Sequence, residues 1–142
     1  MSETDRQLAE AWFRKAEGDF LNARNNLAAD LVPLDTVCFH CQQMAEKYLK
    51  GFLAWHAHPF GRTHDLEALI ALCGAIRDEL AALREHANLL SGYAVDVRYP
   101  DAFDEPTWKE AEDALQAALA IKTAILLALG DELDPANARP KK

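Results

Sequence analysis

Basic charge is scarce in this sequence: 15 Lys and Arg stand against 23 Asp and Glu, giving a net charge of −8 over 142 residues. Broad, sequence-independent nucleic-acid binding needs a basic surface that displaces counterions, so this balance argues against it while leaving room for a local basic pocket. Glycine and proline are scarce too, at six each, and β-branched residues are few beside the many alanines and leucines. That mix favours helix over sheet. Long apolar runs are missing: "AILLALG" from Ala124, for one, is far too short to span a bilayer. The polar, acidic start "MSETDRQLAE" has none of the features of a secretory signal. A cytoplasmic protein with no membrane segment is expected.

Several chemistries lack their motifs. There is no P-loop, no Gly-x-Gly-x-x-Gly and no Gly-x-Ser-x-Gly nucleophile elbow. The three cysteines, Cys38, Cys41 and Cys73, are an odd number and fit reduced thiols in a helical core. Cys38 and Cys41 lie one helical turn apart with splayed side chains, so a bridge between them would be strained. His40 beside them, with His56, His58 and His64 beyond, raises the question of zinc. On a helix His40 points away from the cysteines, and no second cysteine pair supplies the usual zinc spacing. Neither a metal nor a cofactor is expected.

What is present is helical periodicity. A first helix is predicted from about Asp5 to Ala29, with Leu8, Trp12, Ala16, Phe20, Ala23 and Leu27 at helical spacing. Pro33 breaks the chain, and Asp35 or Thr36 can cap a second helix that runs to about Ala57. Its core stripe is Val37, Cys41, Met44, Tyr48, Phe52 and Trp55. "HAHPFGRTHD" is a loop, with Thr63 or Asp65 as the next cap. Short helices follow over about Leu66 to Cys73 and Asp78 to Leu90, the latter burying Leu80, Leu83, Ala87 and Leu90. The stretch "SGYAVDVRYPDAFDEP" is a long connection for a compact helical domain. The last helix is predicted from Glu105 or Pro106 to Leu129, with Pro106 in its first turn. Its stripe is Trp108, Ala111, Leu115, Ala118, Leu119, Ile125, Leu126 and Leu129. The expectation is an all-α, antiparallel up-and-down bundle of about five helices, three long and two short. It forms a single domain over residues 1–130, with a disordered tail over 131–142.

Polar residues then stand out against this apolar frame. On the second helix Gln42 and Glu46 sit one turn apart at the edge of the apolar arc, while His40, Gln43, Lys47 and Lys50 lie further round. A solvated face explains this pattern alone, yet Phe39 and Leu53 bracket the Gln42–Glu46 edge, so a second surface can cover it. Asp19 falls near the middle of the first helix's apolar stripe. A carboxylate buried there needs a cation or several donors, with Lys15, Lys47, Lys50 and Arg98 as candidates; a wet helix edge is the alternative. In "YAVDVRYP", Tyr93, Asp96, Arg98 and Tyr99 make an anion- or base-binding set, since guanidinium pairs with phosphate and rings stack. Arg98 could equally pin the loop to Glu46 or Asp19. Phe39, Leu53, Phe60 and Phe103 are expected to be exposed and to mark a surface that a partner covers.

Taken in order, "KAEGDFLNARNNL", "FHCQQMAEKYLKGFL", "RTHDLEALI" and "YAVDVRYP" resemble the HEPN family, roughly from Ala11 to Ala128. The resemblance implies an antiparallel helical bundle, frequent dimerisation, and nucleotide- or RNA-related roles. Many such proteins are encoded beside a minimal nucleotidyltransferase and bind it, often as a toxin–antitoxin pair. The fold is also similar to the carboxy-terminal bundle of kanamycin nucleotidyltransferase. By this resemblance Lys47, Lys50, Arg98 and Tyr99 would hold a phosphate-bearing ligand, within a polar network of Asp19, Gln42, Gln43, Glu46 and His64. Ribonuclease members carry an Arg, four to six intervening residues and then a His, near the start of the last helix. None of the five histidines here (His40, His56, His58, His64, His86) has that relation to any arginine. The expected general base for attack by a ribose 2′-hydroxyl is therefore missing. The leading expectation is a non-catalytic nucleotide-binding and interaction module, homodimeric, that partners a separate nucleotidyltransferase. The alternatives are a divergent metal-independent ribonuclease built around Arg98 with His64 or Asp104, and a purely structural helical dimer.

Overall fold

The computed structural model describes residues 2–94 and 105–133. All regular structure among the described residues is helical: α1 (Glu3–Leu27), α2 (Leu34–Trp55), α3 (Leu66–Ile76), α4 (Arg84–Leu90) and α5 (Trp108–Leu133). Two short 3₁₀ segments, Asp78–Leu83 and Ser91–Tyr93, flank α4. This is the expected all-α bundle of three long and two short helices.

Caps explain where the elements begin. Ser2 accepts the Asp5 N–H at 3.0 Å and Asp5 returns the bond to the Ser2 N–H at 3.1 Å, a capping box that starts α1 two residues before the expected Asp5. Pro33, not Asp35 or Thr36, occupies the cap position of α2, and Asp35 lies in its first turn, accepting the Thr36 N–H at 2.8 Å. Asp65 caps α3 through the Ala68 N–H at 3.2 Å. That helix continues through Gly74 to Ile76, since a glycine lowers helix propensity without by itself ending a helix. The expected fourth helix divides: its first half is wound as 3₁₀ and only Arg84–Leu90 is α-helical. At α5 the cap is Thr107, whose hydroxyl accepts the Glu110 N–H at 3.1 Å while Glu110 accepts the Thr107 N–H at 2.9 Å. Pro106 therefore sits ahead of the cap, buried, rather than inside the first turn. The helix runs on to Leu133, past the expected Leu129.

The centre of the molecule is α2, which packs most extensively on α1 and next on α5. Contacts fix the directions. Arg6 lies over Trp55 and Asp19 pairs with Lys47, so α1 and α2 are antiparallel. Lys122 lies near the Tyr48 ring and Glu132 bonds His56, so α5 runs in the sense of α2. Arg77 reaches the Ala128 carbonyl at 3.3 Å and Asp131 at 3.1 Å, while Asn88 and Tyr93 lie near Pro106 and Glu110. The stretch from Asp78 to Tyr93 thus climbs back against α5 and makes the return leg.

Ala9, Ala16 and Ala23, seven residues apart, are fully buried and keep α1 close to α2. Val37, Cys41, Met44, Tyr48, Phe52 and Trp55 are buried as their stripe predicts, as are Leu80, Leu83, Ala87 and Leu90. Three expected core residues are exposed: Leu8, Trp108 and Leu126. Ala9 takes the inward position on the first turns of α1, Trp108 is the first residue of its helix, and Ile125 carries the contact beside Leu126. Leu53 is fully buried in this chain's own core, correcting its expected exposure, whereas Phe60 and Phe39 are partly buried. By length and composition α5 could cross a bilayer, its most apolar 18-residue stretch reaching a mean hydropathy of 1.5. Its Ala111, Ala114, Ala118, Ile121 and Ile125 are fully buried, as core-helix residues are.

Candidate functional site, a polar wall on α2

Spacing of four residues places Gln42, Glu46 and Lys50 on one face of α2. That face is not solvated: Gln42 is 0%, Glu46 2% and Lys50 5% exposed. Leu53 and Phe39 flank it in sequence, as the apolar bracket around this edge suggested. The Glu46 carboxylate receives the Lys50 ammonium at 2.9 Å, His64 Nδ1 at 3.0 Å and the Gln42 amide at 3.2 Å. These donors stand in for the water that burial removes. Gln42 also donates to the His64 carbonyl at 3.4 Å and accepts from the Gln43 amide at 2.8 Å. The Lys50 ammonium lies 5.4 Å from the Trp12 ring centre and 5.9 Å from that of Phe60, and those two rings meet edge-on. Cation–π attraction adds to the ion pair there. Lys50 thus points into an aromatic recess rather than into solvent. The Trp12 indole N–H is buried with no acceptor among the described residues.

One turn round α2, a second carboxylate is held in the same manner. Asp19 of α1 is 6% exposed and binds Lys47 Nζ at 2.6 Å and His40 Nδ1 at 2.8 Å. Its position in the apolar stripe required such partners, and Lys47 was among the four expected cations. His40 was not foreseen as a partner. Phe39 packs edge-on against the His40 ring. Burial pushes the Cys41 thiol up to about 12, helped by the neighbouring Cys38 and Asp19, and burial pushes Cys73 up to about 12 as well. Both are packing residues, and none of the three cysteines forms a disulfide among the described residues.

A third set was missed by the sequence reading. Tyr48 donates its phenol to Glu17, and Lys122 of α5 pairs with the same carboxylate at 2.8 Å. Burial, and then the bond to Glu17, raise the Tyr48 phenol above its ordinary range. Burial acts to raise the Glu17 carboxyl, but hydrogen bonds from Lys122 and Tyr48 bring it net below the usual value. Lys122 also lies 4.7 Å from the Phe20 ring centre. These contacts tie α1, α2 and α5 together. No sequence signal pairs Glu17 with Lys122, since they are far apart in the chain.

The fold therefore brings together Asp19, Gln42, Gln43, Glu46, Lys47, Lys50 and His64. Arg98, Tyr99, Asp96, Phe103 and Asp104 lie outside the described residues. Of the wall, His64 reaches solvent most fully, with a side chain 70% exposed; Lys47 is 21% exposed. No group of three potential metal ligands occurs among the described residues.

Comparison with known proteins adds the lineage. A HEPN domain model matches residues 9–128, most of the chain and all of the polar wall. No curated protein and no solved structure matches. With its helical bundle and this match, the chain belongs to the HEPN family, which places it among nucleotide- and RNA-interacting modules in general.

Proposed function

We propose that this HEPN bundle is a nucleotide-binding and interaction module without its own RNA-cleaving chemistry, acting as a cytoplasmic homodimer with a separate minimal nucleotidyltransferase in a toxin–antitoxin-like pair. The observation that carries the reading is the HEPN match over residues 9–128 in a sequence where no histidine follows an arginine at the ribonuclease spacing. In this reading Lys47, Arg98 and Tyr99 contact the phosphate-bearing ligand. Lys50, enclosed by Trp12 and Phe60 and paired with Glu46, organises the wall from behind. The two carboxylates, each already holding a lysine, keep those cations in place without adding net charge.

Two measurements test it. Co-expression with the nucleotidyltransferase of a neighbouring gene is expected to give a complex that survives size-exclusion chromatography. Purified protein, with and without that partner, is expected to leave RNA intact. Cleavage by the wild type that Arg98→Ala abolishes would overturn the non-catalytic reading. One observation favours that second reading: His64 is exposed and bonded to a buried carboxylate, an arrangement that suits a general base.

A further inference from the structure

On the flank of α1, Leu8, Ala11, Trp12 and Lys15 enclose a hollow of about 150 Å³. They stand at i, i+3, i+4 and i+7, the spacing of the hole that a coiled-coil helix offers to one side chain of its neighbour. A cavity of that size takes a group of about six carbon atoms, so one leucine side chain fits it. Its lining comes from α1 alone, and among the described residues no second helix fills it. Leu8 is 51% exposed and also walls a second hollow, which it shares with Asp5, Ala57, Pro59 and Phe60. Leu8 is thus a ridge with an empty seat on either side.

Charge and register together say what fits. The first turn of α1 is acidic at Glu3 and Asp5, and about three turns on it is basic at Arg14 and Lys15. Lys15 forms no ion pair or hydrogen bond among the described residues. An antiparallel neighbour with the same sequence therefore meets opposite charge at both ends, although the chain as a whole, at −8, repels its own copies. The spacing gives the same answer. When Leu8 of one copy enters the hole between Ala11 and Trp12 of the other, its Lys15 falls opposite Thr4 and Asp5 of that copy. A two-fold axis makes the reverse contacts identical, so each copy supplies one knob and one hole. The Lys15 stem then crosses the second hollow with its ammonium at the Asp5 carboxylate. The outer face of α5, where Leu126 and Leu127 are exposed, is a poorer match to itself: it is bounded by Glu112 at one end and Asp131 at the other, acid against acid in an antiparallel pair.

Resting on the homodimer of the reading above, we infer that two copies of the chain pair antiparallel through α1. Leu8 of each is seated in the hollow of the other, and Lys15 of each is paired with Asp5 of the other. Trp12 serves twice, since it walls the hollow and its ring lies by Lys50; the contact therefore abuts the back of the polar wall.

Sedimentation equilibrium of the full chain over a range of concentrations tests this. The wild type is expected to be a dimer. Leu8→Glu, a change at an exposed position, is expected to raise the dimer dissociation constant roughly a hundredfold while circular dichroism shows wild-type helix content. Lys15→Glu is expected to raise it about fivefold, because symmetry removes two rim ion pairs, and less so in high salt. A dimer that neither variant weakens overturns the α1 contact alone, and its dissociation by Leu127→Glu would move the interface to α5. A wild type that stays monomeric up to millimolar concentration overturns the homodimer and the α1 contact with it. If Leu8→Glu fails to fold, the Lys15→Glu result decides.

Discussion

Glu46 keeps a carboxylate where water scarcely reaches it, and Lys50, His64 and Gln42 replace the hydration it has lost. Removing one member of such a set costs more than removing the pair, because the survivor is left buried and uncompensated. Glu46→Leu strands the Lys50 ammonium between Trp12 and Phe60 and is expected to cost about 3–5 kcal/mol. Glu46→Leu combined with Lys50→Met removes both charges and is expected to recover most of that loss. Urea denaturation of the two single variants and the double variant measures the coupling. Additive losses in the double variant would show that the two side chains do not act as a pair. Asp19 follows the same rule on the neighbouring turn with Lys47 and His40. Its need for partners was readable from its place in the apolar stripe. His40 was not readable as one of them, because a helical wheel of α2 says nothing of where α1 will lie.

At the scale of elements, the close contact of α1 with α2 depends on Gly51. A Cβ at this position would overlap the Phe13 ring, which is itself stacked on Tyr48 with ring centres 5.6 Å apart. Gly51→Ala gains about 1 kcal/mol of helix propensity but overpacks the interface, at about 1–3 kcal/mol. A net loss of thermal stability is expected, with partial rescue by Phe13→Leu; a rise in melting temperature for Gly51→Ala would contradict this packing. The long helices were legible because apolar spacing is a property of the chain itself: the Val37-to-Trp55 stripe is buried as its period requires. Boundaries were less legible. The Thr107–Glu110 capping box is written in "TWKE", beside the more conspicuous Pro106, and the 3₁₀ winding of Asp78–Leu83 has no distinct sequence period. Glu17–Lys122, which joins α1 to α5, depends on tertiary placement that local pattern does not encode.

Across the whole molecule, an acidic chain presents few unpaired cations near the wall: Lys47 and Lys50 each bind a carboxylate. The proposed attraction for phosphate is therefore local rather than general, and the HEPN match places the chain among nucleotide- and RNA-interacting modules in general. The wall's composition was legible before the fold, through the order of the Gln-Gln-x-x-Glu-Lys-x-x-Lys core and Thr-His-Asp-Leu. The inward turn of Lys50 and the outward turn of His64 were not, because both depend on how α1 and the 57–65 loop close over α2. Local binding of a phosphate-bearing nucleotide is tested by calorimetric titration of ATP into wild type, Lys47→Ala and Arg98→Ala at low and at physiological salt. Saturable binding by the wild type that weakens with salt, and weakens again by roughly tenfold in each folded variant, is the predicted result. Absence of binding, or binding unchanged in both variants, would contradict it.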